Sequence, residues 1–167
     1  MHAHSSVRET LHLLAPEATG AQALRHQAVF QLVIAGEEIG AALRSRLAEQ
    51  GLTIEGFQTL AALKQVDPEP ASPTFLAQRT DTTRALLSHT LTRLEISGLI
   101  SRHRDELDRR IFWVRLTPAG REAVERGAEA SHRCIEQLTA RLARPELAAL
   151  ISACSRFDQA SKEISAA

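Results

Sequence analysis

The sequence predicts a mainly α-helical chain with one small β-hairpin, and three observations predict it. Apolar residues return at spacings of three and four over most of the 167 residues. One short segment, Ile111-Phe112-Trp113-Val114, instead collects the β-branched and aromatic residues that favour a strand, and an apolar start at Leu99-Ile100 precedes it across a charged stretch. Nothing alternates strand and helix in the way a parallel sheet requires.

Taken in order, residues 1–20 carry His2, His4, His12, Pro16 and Gly20 around a short apolar patch, and read as a loose extension. Over 21–50, Leu24, Ala28, Phe30, Leu32, Val33, Ile39, Leu43 and Leu47 recur at near-helical spacing, with Gly51 just past the end. This predicts a long first helix with much buried surface. Thr53 offers its side-chain oxygen to cap a second helix reaching 65, with Glu55 in its first turn and Phe57, Leu60, Ala61 and Leu63 facing inward. Asp67-Pro68-Glu69-Pro70 stops it. Ser72-Pro73 starts a short helix through 79, Thr80-Asp81-Thr82 breaks the chain, and a longer helix follows over 82–97. Gly98 supplies the positive φ that a helix end wants, and the first strand begins at Leu99. Between the strands lie Arg102, His103, Arg104, Asp105, Glu106, Asp108, Arg109 and Arg110, so the hairpin has a strongly charged tip. Thr117 caps the next helix, over 118–143, and Pro118 fits its first turn, where the missing N–H is not needed. Pro145 opens the last helix, to 165, and only two strands are expected.

A short helix, a turn, a longer helix and a charged hairpin in succession form a nucleic-acid-binding arrangement. Leu87, Leu91 and Leu94 share one side of the longer helix and pack inward. Thr82, Ala85, His89, Thr92 and Arg93 take the other side, with Thr83 at the start and Arg84 and Ser88 on the flank. Short polar groups, a methyl and cationic donors suit the major groove, whose base edges offer acceptors, donors and thymine methyls. Arginines of the hairpin suit phosphate and the negative potential of a narrow A·T minor groove. The bland alternatives are a solvated helix face and a charged turn that keeps the hairpin soluble. Charge distribution favours the first reading: the chain has zero net charge, yet between Arg79 and Arg115 eight arginines face five acidic residues. Trp113 reads as packing at the hairpin base rather than as a stacking platform, because only Phe112 adjoins it.

Other classes find less support. There is no glycine-rich phosphate loop, no HExxH and no nucleophile elbow, so no enzyme and no cofactor is expected. Cys134 and Cys154 lack CxxC spacing, no export signal opens the chain, and no apolar run approaches the roughly 20 residues of a membrane span. A soluble protein of the reducing cytoplasm is the expectation, with no membrane partner. A hairpin kept purely for contact with another protein remains the competing reading.

The order Leu94-Glu95-x-x-Gly98-Leu99-Ile100, Asp108-Arg109-Arg110 and Leu116-Thr117-x-x-Gly120, with Leu52-Thr53 upstream, resembles the MarR family of bacterial winged helix-turn-helix transcription regulators. The resemblance covers roughly residues 25 to 160. It implies a DNA-binding lobe over 52–116 and a helical dimerisation region from 21–51 and 117–167. It further implies a homodimer on a double-stranded, pseudo-palindromic operator with half-sites roughly 10 base pairs apart, acting by default as a repressor. By the same resemblance Arg109 or Arg110 inserts into the minor groove and Asp108 orients a neighbouring arginine. His89 stands where the family usually has arginine. Family members often answer to a small aromatic or acidic effector, which Arg25 and His26 could pair with here, although surface placement is the plainer reading of both. Two sensor variants complete the expectations. Arg133 beside Cys134 and Arg156 near Cys154 would suit a redox-active thiol, against which inert helix cysteines are favoured. His2-x-His4 is the only close ligand pair for a metal, so no metal site is assigned.

Overall fold

The computed structural model describes residues 20–105 and 112–166. The N-terminal extension, including His2 and His4, and the tip residues Asp108, Arg109, Arg110 and Ile111 lie outside the described residues. The element order is α1 (Gly20–Ala48), α2 (Ile54–Lys64), α3 (Pro73–Arg79), α4 (Arg84–Ile96), β1 (Ile100–Arg104), β2 (Phe112–Leu116), α5 (Pro118–Thr139) and α6 (Arg144–Ala166). The chain divides into two compact units, one reaching Cys134 and the other beginning at Ile135, within α5. Among the described residues no helix is long and apolar enough to cross a membrane.

Local chemistry sets most of the boundaries. At the end of α1 the Leu52 N–H reaches the Leu47 carbonyl at 3.0 Å and Gly51 takes φ +72°, so the last carbonyls are satisfied by a turn that only glycine enters cheaply. Thr53 accepts from the Gly56 N–H at 3.1 Å and Ser72 from the Phe75 N–H at 3.2 Å, each satisfying an orphan donor of the following first turn. Thr117 does the same for Gly120 at 3.0 Å, and its hydroxyl donates to the Gly98 carbonyl at 2.7 Å. In the second unit Glu146 reaches back to the Ala143 N–H at 2.7 Å, so α6 starts at Arg144 rather than at Pro145. The preceding helix ends at Thr139, short of the expected 143.

The core of the first unit is a cluster of Leu47, Leu52, Leu60, Leu63, Leu76, Leu87, Leu91, Leu94, Ile100, Val114 and Leu116, closed by Ala123 and Val124 of α5. Helices α2, α3 and α4 pack around the hairpin, in which β1 and β2 run antiparallel with Ile100 opposite Leu116 and Arg104 opposite Phe112. Ala71 adds an isolated bridge beside β2: its N–H and carbonyl both pair with Val114 at 2.9 Å. The sheet itself has two strands, as the single expected hairpin requires. The bridge, a single residue, offers no alternation to recognise.

The first helix also departs from expectation. Within one chain Leu47 is its only buried residue, while Leu24, Val29, Val33 and Ile39 stand 41–67% exposed. Its apolar spacing is real, but the surface is not buried within the chain. In the second unit Leu147 is half-buried and every other described side chain of α6 is exposed.

Candidate nucleic-acid interface

Helix α4 is built to show one face. Leu87, Leu91 and Leu94 are buried as their spacing predicts, and Thr90 joins them, its hydroxyl donating to the Leu86 carbonyl at 2.9 Å. Arg84, Ala85, Ser88, His89, Thr92 and Arg93 are exposed. The helix begins at Arg84, two residues later than one from Thr82 would. Thr83 is the cap, accepting from the Leu86 N–H at 3.3 Å, and Thr82 lies in the preceding turn with its N–H on the Ala77 carbonyl. The turn is tight because Asp81 adopts φ +47°, where a short polar side chain is better tolerated than most.

The hairpin stands beside α4. Arg104 and His103 are exposed, and the Arg104 guanidinium lies over the Phe112 ring, 5.3 Å from its centre. Trp113 is half-buried at the wing, its indole N–H donating to Asp105 at 2.8 Å, which agrees with packing rather than stacking on a base. Arg102, grouped in the sequence with the phosphate-facing arginines, is held against α4. Its side chain is 23% exposed, its Nε lies 3.2 Å from the Glu95 carboxylate and its Nη2 donates to the Thr92 hydroxyl at 3.1 Å. Sequence reasoning could not see this, because the contact depends on how β1 crosses the end of α4.

Two open clefts flank α4. One, of about 290 Å³, lies towards the start of α2 and includes Thr53, Glu55, His89 and Arg93. The other, of about 320 Å³, lies between α3, α4 and the hairpin and includes Thr74, Arg84, Ser88, Arg102 and Phe112. Each brings cationic and hydroxyl side chains beside apolar ones. Arg25 and His26 sit far earlier, on α1; His26 is half-buried, with its ring 6.2 Å from that of Phe30 and no hydrogen-bond partner at Nδ1.

A further ion pair fixes the frame behind the interface. Arg121 of α5 donates twice to Asp67, at 2.7 Å to each carboxylate oxygen. That hydrogen bond, helped by the guanidinium charge and opposed by desolvation, holds the Asp67 carboxyl below its ordinary range, and raises Arg121. Lys64 and Glu125 pair at 2.9 Å one turn along the same helix. Neither pair was foreseen, since the partners are more than fifty residues apart.

Cys134 is buried and Cys154 exposed, and both are free thiols. Among the described residues no group of three or more metal-ligating side chains occurs.

The MarR family model matches residues 50–111, from the start of α2 to the wing. An uncharacterized HTH-type transcriptional regulator of Bacillus subtilis, YdgJ, is 29% identical over 107 residues; the match covers 64% of this chain and less than two thirds, 64%, of that protein. A probable transcriptional regulator from Pseudomonas aeruginosa is 29% identical and superposes with a TM-score of 0.67, over 80% of this chain and 98% of that one. BpsR of Bordetella bronchiseptica, whose DNA binding is regulated by 6-hydroxynicotinic acid, shares the fold at 24% identity and a TM-score of 0.66, over 79% of this chain and 98% of its own. The capped helix α4 and the hairpin beside it lie within or next to the segment matched by the MarR family model, and the chain is similar to winged helix-turn-helix transcription regulators of that family.

Proposed function

We propose that this protein is a sequence-specific, double-stranded-DNA-binding transcription regulator that acts as a homodimer on a pseudo-palindromic operator and releases it on binding a small aromatic or acidic effector. The observation that carries the reading is the division of α4. Three leucines anchor it in the core while Arg84, Ser88, His89, Thr92 and Arg93 are exposed, with the wing alongside. An element held rigidly on one side, with donors and methyls on the other, meets what major-groove readout demands. Arg104, and by family resemblance Arg109 and Arg110 with Asp108, supply the phosphate and minor-groove contacts. Thr83 belongs to this surface as the helix cap, whose N-terminal dipole also favours a phosphate. The protein works by binding rather than catalysis, in the cytoplasm, where the operator lies.

The effector reading draws on BpsR, which answers to an aromatic acid, and on the family habit of placing such ligands against the DNA-binding lobe. Repression by promoter occlusion is the default mode.

A titration of the protein against its own upstream intergenic DNA, at two salt concentrations and with an unrelated duplex as competitor, tests the core of this. A specific regulator binds tightly, resists the competitor and loses affinity steeply with salt. Arg93→Ala and Arg84→Ala then either flatten the salt slope by about one or relax preference at one base pair, according to whether each meets phosphate or a base edge. Binding that ignores salt would instead favour a wing used for contact with another protein.

A further inference from the structure

We propose that Arg102 is a positioning residue: it governs operator recognition by fastening the wing to α4 through Glu95 and Thr92, and not by touching phosphate. The inference rests on the DNA-binding reading above.

On β1, Arg102 lies opposite Val114 of β2, while the following residues His103 and Arg104 point to solvent. Its guanidinium spans two side chains that stand three residues apart on α4, an ionic contact to Glu95 at 3.2 Å and a hydrogen bond to Thr92 at 3.1 Å. The first strand of the wing is thereby tied to the last two turns of the reading helix. Glu95 needs such a partner. A half-exposed carboxylate beside DNA would repel phosphate, and Arg102 both neutralises and directs it. The tie also decides what Thr92 offers a base. Its hydroxyl proton is given to the Ser88 carbonyl at 3.0 Å, and a lone pair takes the Arg102 N–H. Thr92 therefore presents its methyl, with no proton left to donate, and matches a thymine methyl better than a guanine or adenine acceptor.

Two substitutions distinguish fastening from phosphate contact by the sign of their effects. Glu95→Gln removes a negative charge near DNA; if Arg102 served phosphate, the freed guanidinium and reduced repulsion would leave operator affinity equal or raised. Fastening predicts a loss of roughly two- to fivefold with an unchanged salt slope. Arg102→Lys keeps the charge but cannot span both partners, and shows the same loss. A phosphate contact would keep nearly full affinity in Arg102→Lys and lose about one unit of salt slope in Arg102→Ala. A readout without DNA comes from Trp113, the one tryptophan of the chain, which lies on β2 beside the residue facing Arg102. Acrylamide quenching of its fluorescence rises in both variants if the wing is fastened, with circular dichroism confirming that each variant folds. Unchanged quenching overturns the proposal whether or not the wild type binds its operator, as does tighter binding by Glu95→Gln. Absence of salt-sensitive DNA binding in the wild type would count against the regulator reading separately.

Discussion

Gly120 has the least room of any glycine in the chain. A Cβ built there would lie 1.9 Å from the Leu99 carbonyl oxygen, backbone that cannot step aside without opening the seam between α4 and α5. Gly120→Ala should therefore cost more than about 2 kcal/mol in denaturant unfolding; a near-wild-type midpoint would show that the seam yields. Asp67 gives a prediction in pH. Its folded carboxyl titrates below the ordinary value of 3.8 because of Arg121, so the pair's contribution is full above that value and fades as pH falls through the lower, folded one. Arg121→Ala should melt earlier than wild type at pH 7, and the gap should narrow below about pH 4. A gap constant from pH 7 to pH 2 would remove the ion pair from the account. At this scale the caps were legible: Thr53, Thr117 and the glycines at 51 and 98 announce themselves by residue type, since each satisfies a local backbone need. Arg102 and Asp67 were not, because a long polar side chain chooses its partner in three dimensions.

Among the elements, the turn between α3 and α4 is where local strain meets function. Asp81 at φ +47° is tolerated rather than preferred, so Asp81→Gly should hold or raise stability by up to about 1 kcal/mol, and the β-branched Asp81→Val should lower it by more than about 1 kcal/mol. If the two variants unfold alike, the left-handed geometry at this position is not being enforced. Helix α4 itself was nearly complete in the sequence, because its leucine spacing sets the buried face. Its first residue was missed by the choice between adjacent threonines, and only the Thr83 hydroxyl, not that of Thr82, meets an orphan N–H. The bridge at Ala71 was invisible for a related reason: one residue pairing with Val114 carries no pattern along the chain.

At the scale of the whole molecule, each unit leaves apolar side chains in water. In the first, Leu24 and Val33 of α1 are 67% and 46% exposed; in the second, Ile151 and Ile164 of α6 are 68% and 78% exposed. Apolar residues on the first and last helices exceed what a DNA-binding lobe needs to cover, which the sequence alone already reads as a surface for a second copy. The proposed homodimer gives them a partner, and it predicts a melting temperature that rises with protein concentration. Ile151→Asp should shift the sedimenting species towards monomer and weaken operator binding, since one half-site then acts alone. A concentration-independent monomer would separate these faces from dimerisation.

The stitching at the root of the hairpin has a consequence for how such a protein can change over generations. Leu99 and Thr117 are joined by a backbone bond of 3.1 Å, Thr117 also holds Gly98, and Ile100 faces Leu116, so the excursion from 98 to 120 closes on itself before reaching the tip. The contacts that set α5 against the end of α4 are thus made at the root of the hairpin, so a change at Gly98, Leu99 or Thr117 is felt by both helices at once, and inheritance of the frame hangs on these few positions.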